Sequence, residues 1–267
     1  MAALVSSGGV AYLFLVTSNE FPMNRVFSNV YEDEARARAY ATLEFPGTYF
    51  LAFRDLPDLI HQYGGGLRAL DFGCGTGRSS RFLRNLGLNV TGVDISEAML
   101  DQARALDPAG DYRLVRRGAA LKGFDRGIFG VILAAFTFDN IPTDAEKTDA
   151  LSWLRTVLAL EGALFLVVSS PAIYVNEWAS FSTKDFPENR HARDGDRVRI
   201  VMLDVADRRP VEDVLCTDAN YRRLFESASL ELREVRSPLA TGQETTRWLS
   251  ETITAPWTIY VLSHLSR

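Results

Sequence analysis

The stretch "ALDFGCGTGRSS", residues 69–80, runs from an apolar segment through Asp71 into three glycines at alternate positions, Gly73, Gly75 and Gly77. A polar, helix-compatible segment follows at once. Glycine admits φ > 0 and lets a backbone approach a ligand closely, and the first turn of a helix presents unpaired N–H groups. Strand, glycine loop and helix in that order make a nucleotide site, and a plain turn does not require the entropy cost of three glycines. The dinucleotide fingerprint is G-x-G-x-x-G. Here Arg78 stands where its third glycine belongs, which argues against a nicotinamide or flavin cofactor and against an oxidoreductase.

Outward from this loop, short apolar runs alternate with helical patterns from Leu67 to Ser169. "NVTGVD" (89–94) reads as a second strand. Ser96 is a good N-cap for a helix with Met99, Ala103 and Leu106 on one face, ended by Asp107-Pro108. "YRLV" (112–115) is a weaker third strand, and the apolar "IFGVILAAF" (128–136) suits a fourth strand covered on both faces. Thr143 and Glu146 form a capping box for a helix whose apolar face carries Trp153, Val157 and Leu160; Gly162 is expected to end it before the fifth strand, "ALFLVVS" (163–169). This alternation predicts an α/β fold with a doubly wound, mostly parallel, seven-stranded sheet.

The flanks read differently. Residues 1–66 form an N-terminal arm and helical cap, with helices in 32–43 and 48–63, ahead of a main domain at 67–267. After Ser170-Pro171 the pattern breaks, and "VRIVML" (198–203) and "VEDVLC" (211–216) suggest an antiparallel pair. This is a substrate-side insertion covering about 171–215. Thr217 then caps a helix, and two more strands close the chain. "GVAYLFLV" (9–16) is far short of the roughly 20 residues a membrane helix needs and has no preceding basic residue. It reads as an extra strand, a packed arm or an extended start upstream of Met23.

The loop and its surroundings resemble the class I, Rossmann-like S-adenosylmethionine-dependent methyltransferases, whose leading motif, acidic-x-G-x-G-x-G, is matched by Asp71, Gly73, Gly75 and Gly77. The resemblance is strong over about 67–170 and looser over 211–264. It implies S-adenosyl-L-methionine as cofactor, with the loop backbone, Cys74 included, passing close to the methionine moiety. By the same resemblance Asp71 acts on the ammonium end, directly or through water. Asp94, at the end of the second strand, accepts the ribose hydroxyls, and Ile95 and Met99 flank the adenine. "AFTFDNIP" (135–142), with Phe136, resembles the segment that lines the cleft near the reactive methyl. Where family members often carry an acidic residue for the adenine amine, this chain has Ala119 and Ala120, leaving backbone groups at Ala119 to serve. Gly130 departs from a frequent aspartate, and "LEGA" from the usual Pro-Gly-Gly turn.

Candidate catalytic groups follow from the same frame. Asp139, beside Asn140 at the end of the fourth strand, is the first candidate for an acceptor contact or base, with Glu177 and Tyr174 as further ones. Tyr31, Tyr40 and Tyr49 in the cap either close over the sulfonium or pack helices. Tyr174, Trp178 and Phe181 form either an aromatic lid or core. His191 lies in a charged, solvated stretch, and Cys74 has no adjacent base to make it a nucleophile.

Composition narrows the partners. The net charge of −5 gives no reason to expect a polyanionic ligand, so nucleic acid is not expected. Two cysteines and three scattered histidines support neither a disulfide framework nor a metal site. A cytoplasmic protein without a membrane span is expected, and a homodimer is compatible with the sequence. The acceptor is expected to be a small molecule methylated on O or N. The alternatives are a non-catalytic cofactor-binding module and a protein or tRNA acceptor.

Overall fold

The computed structural model of the chain describes residues 33–41, 43–116 and 123–265. The arm at 1–22, Tyr31 and Ala119 lie outside the described residues. The cap consists of α1 (Glu34–Ala41), α2 (Thr48–Arg54) and α3 (Leu56–Tyr63). The segment 48–63 is therefore two helices rather than one. Pro57 has no N–H to donate to Phe53, and the chain breaks at Asp55, where Arg54 closes a 2.7 Å ion pair.

The main sheet is built from β1 (Arg68–Phe72), β2 (Asn89–Asp94), β3 (Asp111–Leu114), β4 (Phe129–Ala135) and β5 (Leu158–Ser169), with β9 (Leu230–Arg236) and β10 (Trp257–His264). Its order is β3-β2-β1-β4-β5-β10-β9. The first five strands are parallel, and β10 runs antiparallel to both neighbours. Connecting helices are α4 (Arg78–Asn85), α5 (Glu97–Leu106), α6 (Asp144–Val157) and α7 (Asp218–Ser227). Strand order reverses between β1 and β4, and such a switch point opens a crevice at the carboxyl ends of the strands.

Alternation along each strand divides the core between the two faces. Ala69, Val131 and Leu133 face α2, α3 and the insertion, whereas Leu70, Ile132 and Ala134 face α6 and α7. With both faces covered, β4 is apolar throughout, as its sequence suggests. Ser96, Thr143 and Thr217 cap α5, α6 and α7 through hydrogen bonds to Met99, Glu146 and Asn220 N–H groups.

One boundary differs from the sequence reading. α6 stops at Val157, and β5 begins at Leu158, so Gly162 lies inside the strand and Leu160 is 74% exposed. The apolar run 157–160 satisfies either period, and pairing of Leu158 with Phe129 decides it. The register then shifts before Val131, accommodating the extra residues. Gly130 also has a physical reason. A Cβ there would lie 2.5 Å from the carbonyl carbon of Gly65, and the Gly65 N–H donates to Gly130 O at 3.0 Å. At Gly65 itself a Cβ would meet Glu161 O at 2.1 Å. Backbone lies directly on backbone where the cap meets the sheet.

The insertion forms a three-stranded sheet of β6 (Phe181–Ser182), β7 (Arg197–Met202) and β8 (Val211–Val214). β7 and β8 are the expected antiparallel pair. A fully buried carboxylate, Glu251, joins this unit to the cap: its Oε1 accepts from Thr48 Oγ1 at 2.6 Å and from Ala179 N at 2.7 Å, and its Oε2 from Leu249 N at 2.9 Å. The Trp257 indole donates to Thr48 O at 2.7 Å, tying β10 to the same point.

Candidate active site

Gly73, Gly75 and Gly77 adopt φ of 75°, 54° and 77°, all in the left-handed region that disfavours side chains. A Cβ at Gly73 would sit 2.2 Å from Thr137 Oγ1, whereas one at Gly75 would meet only Met99 Cε at 3.0 Å. Gly73 thus lets the loop pack on the segment after β4, and Gly75 keeps the cleft side bare.

The N–H groups of Gly73, Cys74, Gly75 and Gly77 are already engaged. Those of Gly73 and Cys74 donate to Val93 O at 2.8 and 3.0 Å, Gly77 N donates to Cys74 O at 2.9 Å, and Gly75 N donates to Asp94 Oδ2 at 2.8 Å. A phosphate cradle needs such donors aimed at the ligand. This loop presents no such set, which agrees with the reading of Arg78 against a dinucleotide. It offers acceptors instead. Asp71 is fully buried beneath the loop: its Oδ2 accepts from Ser79 and Ser80 hydroxyls at 2.7 and 2.6 Å, while its Oδ1 has no partner among the described residues. Burial pushes this carboxyl up to about 6, against the two serine hydrogen bonds. Asp94 Oδ1 accepts from Ser96 N at 2.9 Å, and the Ile95 N–H also points to this carboxylate. Burial raises its pKa as well.

These groups border a cleft of about 440 Å³. Gly73, Cys74, Gly75, Asp94, Ile95, Met99 and Phe136 all line it. Asp71 and Gly77 do not, and brace the loop from beneath. The Cys74 thiol is 4% exposed and raised well above its usual range by burial, so it stays neutral. The sequence reading did not place Trp153, Glu146 and Asp149 at the cleft, and α6 brings all three to its far wall. Their spacing at i, i+3 and i+7 on one helix was the available signal. Arg78 also lines the cleft, 5% exposed, with its guanidinium 4.7 Å from the Tyr49 ring centre and donating to Glu44 O and Tyr40 Oη.

A second pocket, of about 40 Å³, adjoins the first, and Tyr40, Phe136 and Asn140 line both. Phe136 holds φ of 63°, a strained conformation for a side-chain-bearing residue, at the junction. Asp139 and Tyr174 line this second pocket, and Glu177 lines neither. Glu177 Oε1 accepts from Thr183 N at 2.6 Å and holds a turn of the insertion. Asp139 accepts from Ser169 N at 3.0 Å and is pushed up to about 6 by burial, with Lys147 pulling the other way. Facing it is Asp213 of β8, which the sequence reading left unnamed. Asp213 Oδ2 accepts from Tyr174 Oη at 3.0 Å and Oδ1 from Asn140 Nδ2 at 3.3 Å. Burial, reinforced by the Asp139 charge, raises its pKa. Tyr49, Phe181 and Trp257 complete the walls, whereas Trp178 is wholly core.

A parallel α/β sheet with an antiparallel last pair, a glycine loop after β1 and an acid at the end of β2 define the class I, Rossmann-like methyltransferase fold. Residues 70–166 match the family model described as "Methyltransferase domain". Over that stretch the chain is similar to the methyltransferase domain, and S-adenosylmethionine is the cofactor of the class whose fold it shares. It is 51% identical over 47 residues to a malonyl-[acyl-carrier protein] O-methyltransferase of Pectobacterium atrosepticum, covering 18% of this chain and 19% of that one. It is 31% identical over 97 residues to a ubiquinone biosynthesis O-methyltransferase of Shewanella pealeana, covering 34% and 41%. The matches thus span less than half the length of these curated relatives. Among solved structures, DesVI of Streptomyces venezuelae superposes with a TM-score of 0.59 at 18% identity, over 87% of this chain and 99% of that one. The CcbJ methyltransferase of Streptomyces caelestis does so with 0.58 at 19%, over 84% and 100%.

Proposed function

We propose that this chain transfers a methyl group from S-adenosylmethionine to a small-molecule acceptor. The observation that carries the reading is the adjoining pair of cavities. A nucleoside-sized cleft with acceptors placed for a sugar and a cation meets, at Phe136 and Asn140, a 40 Å³ pocket that admits one functional group. When bound, the cofactor supplies a methyl group on a positively charged sulfur. Asp94 would hold the ribose hydroxyls, Ile95 and Met99 the adenine face, and the Asp71 side of the loop the ammonium end. The chain's remaining tasks are to align an acceptor through the Phe136 junction and to exclude water, which the aromatic walls of the cap and insertion do. Asp139 and Asp213 lie on the acceptor side and can take up a proton, and Tyr174 orients Asp213 by donating to it.

Calorimetry tests the reading. S-adenosylhomocysteine should bind the purified chain, and Asp94→Ala should weaken it roughly 10- to 100-fold through loss of charge-assisted hydrogen bonds. Labelled methyl should then appear in a small-molecule extract fraction. Binding with label confined to protein or RNA would sink the small-acceptor assignment.

A further inference from the structure

The second pocket has an unusual combination of walls. Its aromatic side is a contiguous set: Tyr49 lies 5.0 Å from Phe181 and 5.8 Å from Phe136 between ring centres, and Trp257 lies 4.7 Å from Phe136 and 5.6 Å from Phe181. Its polar side carries two buried carboxyl groups, Asp139 and Asp213. The hydrogen bonds that Asp213 accepts come from a phenol and an amide, neither of them a cation. Asn140 adds a buried Oδ1 with no partner among the described residues. Aromatic faces and carboxylates together favour a cation, and acceptor oxygens without donors favour a ligand that brings N–H groups.

Resting on the methyltransferase reading, we infer that the acceptor is a primary or secondary amine that enters this pocket as its ammonium ion, and that Asp213 is the group that takes its proton. An ammonium nitrogen has no lone pair, so one N–H proton must leave before attack. The proton passes to the Asp213 carboxylate, the freed nitrogen lone pair forms the new N–CH3 bond, and the S–CH3 bond breaks with its electron pair going to sulfur. The N-methylated ammonium product and neutral thioether result, and the proton on Asp213 returns to solvent. Asp213 is faced by Asp139 after β4, by Lys147 of α6, by Tyr174 and more distantly by Tyr221 of α7, with Glu212 beside it on β8. Its own burial and the Asp139 charge push the empty pocket's Asp213 toward the protonated form, against the Tyr174 hydrogen bond and the Lys147 charge. An ammonium seated beside Asp213 favours its carboxylate form and so the release of a proton, whereas a neutral alcohol of the same shape brings no charge to do so.

The test uses the full chain saturated with S-adenosylhomocysteine and titrated with isopropylammonium chloride or with 2-propanol, in two buffers of different ionisation enthalpy. The expected result is at least about 10-fold tighter binding of the ammonium, with release of close to one proton. Asp213→Asn should cut ammonium affinity by a similar factor and abolish proton release, with S-adenosylhomocysteine affinity unchanged as evidence of an intact fold. Equal or tighter binding of the alcohol, no heat from either probe, or full ammonium affinity in a folded Asp213→Asn protein would overturn the amine assignment. Absence of S-adenosylhomocysteine binding in the wild type would instead overturn the cofactor reading beneath it. The wild-type comparison stands even if the variant does not fold.

Discussion

On the β1 side of the crevice, the loop from Gly73 to Gly77 is held by main-chain bonds to Val93 and by the Asp94 carboxylate, 19 residues from Gly75. On the insertion side, Asp213 is held by Tyr174 and Asn140, 39 and 73 residues away, and Glu251 reaches Thr48 across 203. One wall is shaped by backbone conformation and local spacing, the other by side chains that only the finished fold assembles. The first wall suits an invariant ligand. The second can change its ligand by exchanging a few side chains while the sheet stays the same.

The contrast can be broken most directly at Gly73. Alanine there places a Cβ against Thr137 in a left-handed conformation, and we expect S-adenosylhomocysteine affinity to fall by about 100-fold or more with a stability loss of about 3 kcal/mol. Calorimetry and urea denaturation measure both, and retained affinity would mean that the loop is not a rigid cradle. Glu251→Ala should do the converse. Removing the acceptor for Thr48 Oγ1, Ala179 N and Leu249 N should cost about 3 kcal/mol of unfolding free energy and leave cofactor affinity within a few-fold. An equal loss of cofactor affinity would show that the two walls are not separable.

A smaller effect has a defined pH dependence. The Asp71 carboxyl is pushed up to about 6 in the fold, above its ordinary value of about 3.9. Between those values the folded protein holds a proton that the unfolded chain has lost, so the wild type loses stability as pH rises through this window and levels off above it. Asp71→Asn has no such titration. Between pH 4 and pH 7 its stability relative to the ligand-free wild type should improve by about 2–3 kcal/mol, read from denaturant midpoints. A flat difference would place Asp71 in contact with water. The smallest effect is expected for Glu177→Gln, which should weaken the Thr183 turn by about 1 kcal/mol or less and leave methyl transfer near wild type. A loss of turnover without a loss of stability would return Glu177 to the site.

What the sequence disclosed follows the same division. The succession of strands and helices and the glycine loop were legible because each rests on local period or on residues a few positions apart. The end of α6 was not, since Val157 to Leu160 fits helix and strand alike until Leu158 finds Phe129. Asp139 and Tyr174 were reachable because the end of β4 and the segment after β5 face the crevice in this fold. Asp213 was not, since in "VEDVLC" nothing separates it from Glu212 except which face of β8 meets the sheet. Glu177 was a further candidate for an acceptor contact or base, yet its carboxylate turns back to Thr183.

Gly64-Gly65-Gly66 would pass for a swivel between the cap and the first strand. The contact of Gly65 with Gly130 and Glu161 makes it a bolt instead, because the backbone segments touch with no side chain between them to yield. The cap over the cleft is therefore anchored at its rear edge. On the proposed function, each exchange of spent cofactor for fresh must flex some part of the enclosure other than this joint.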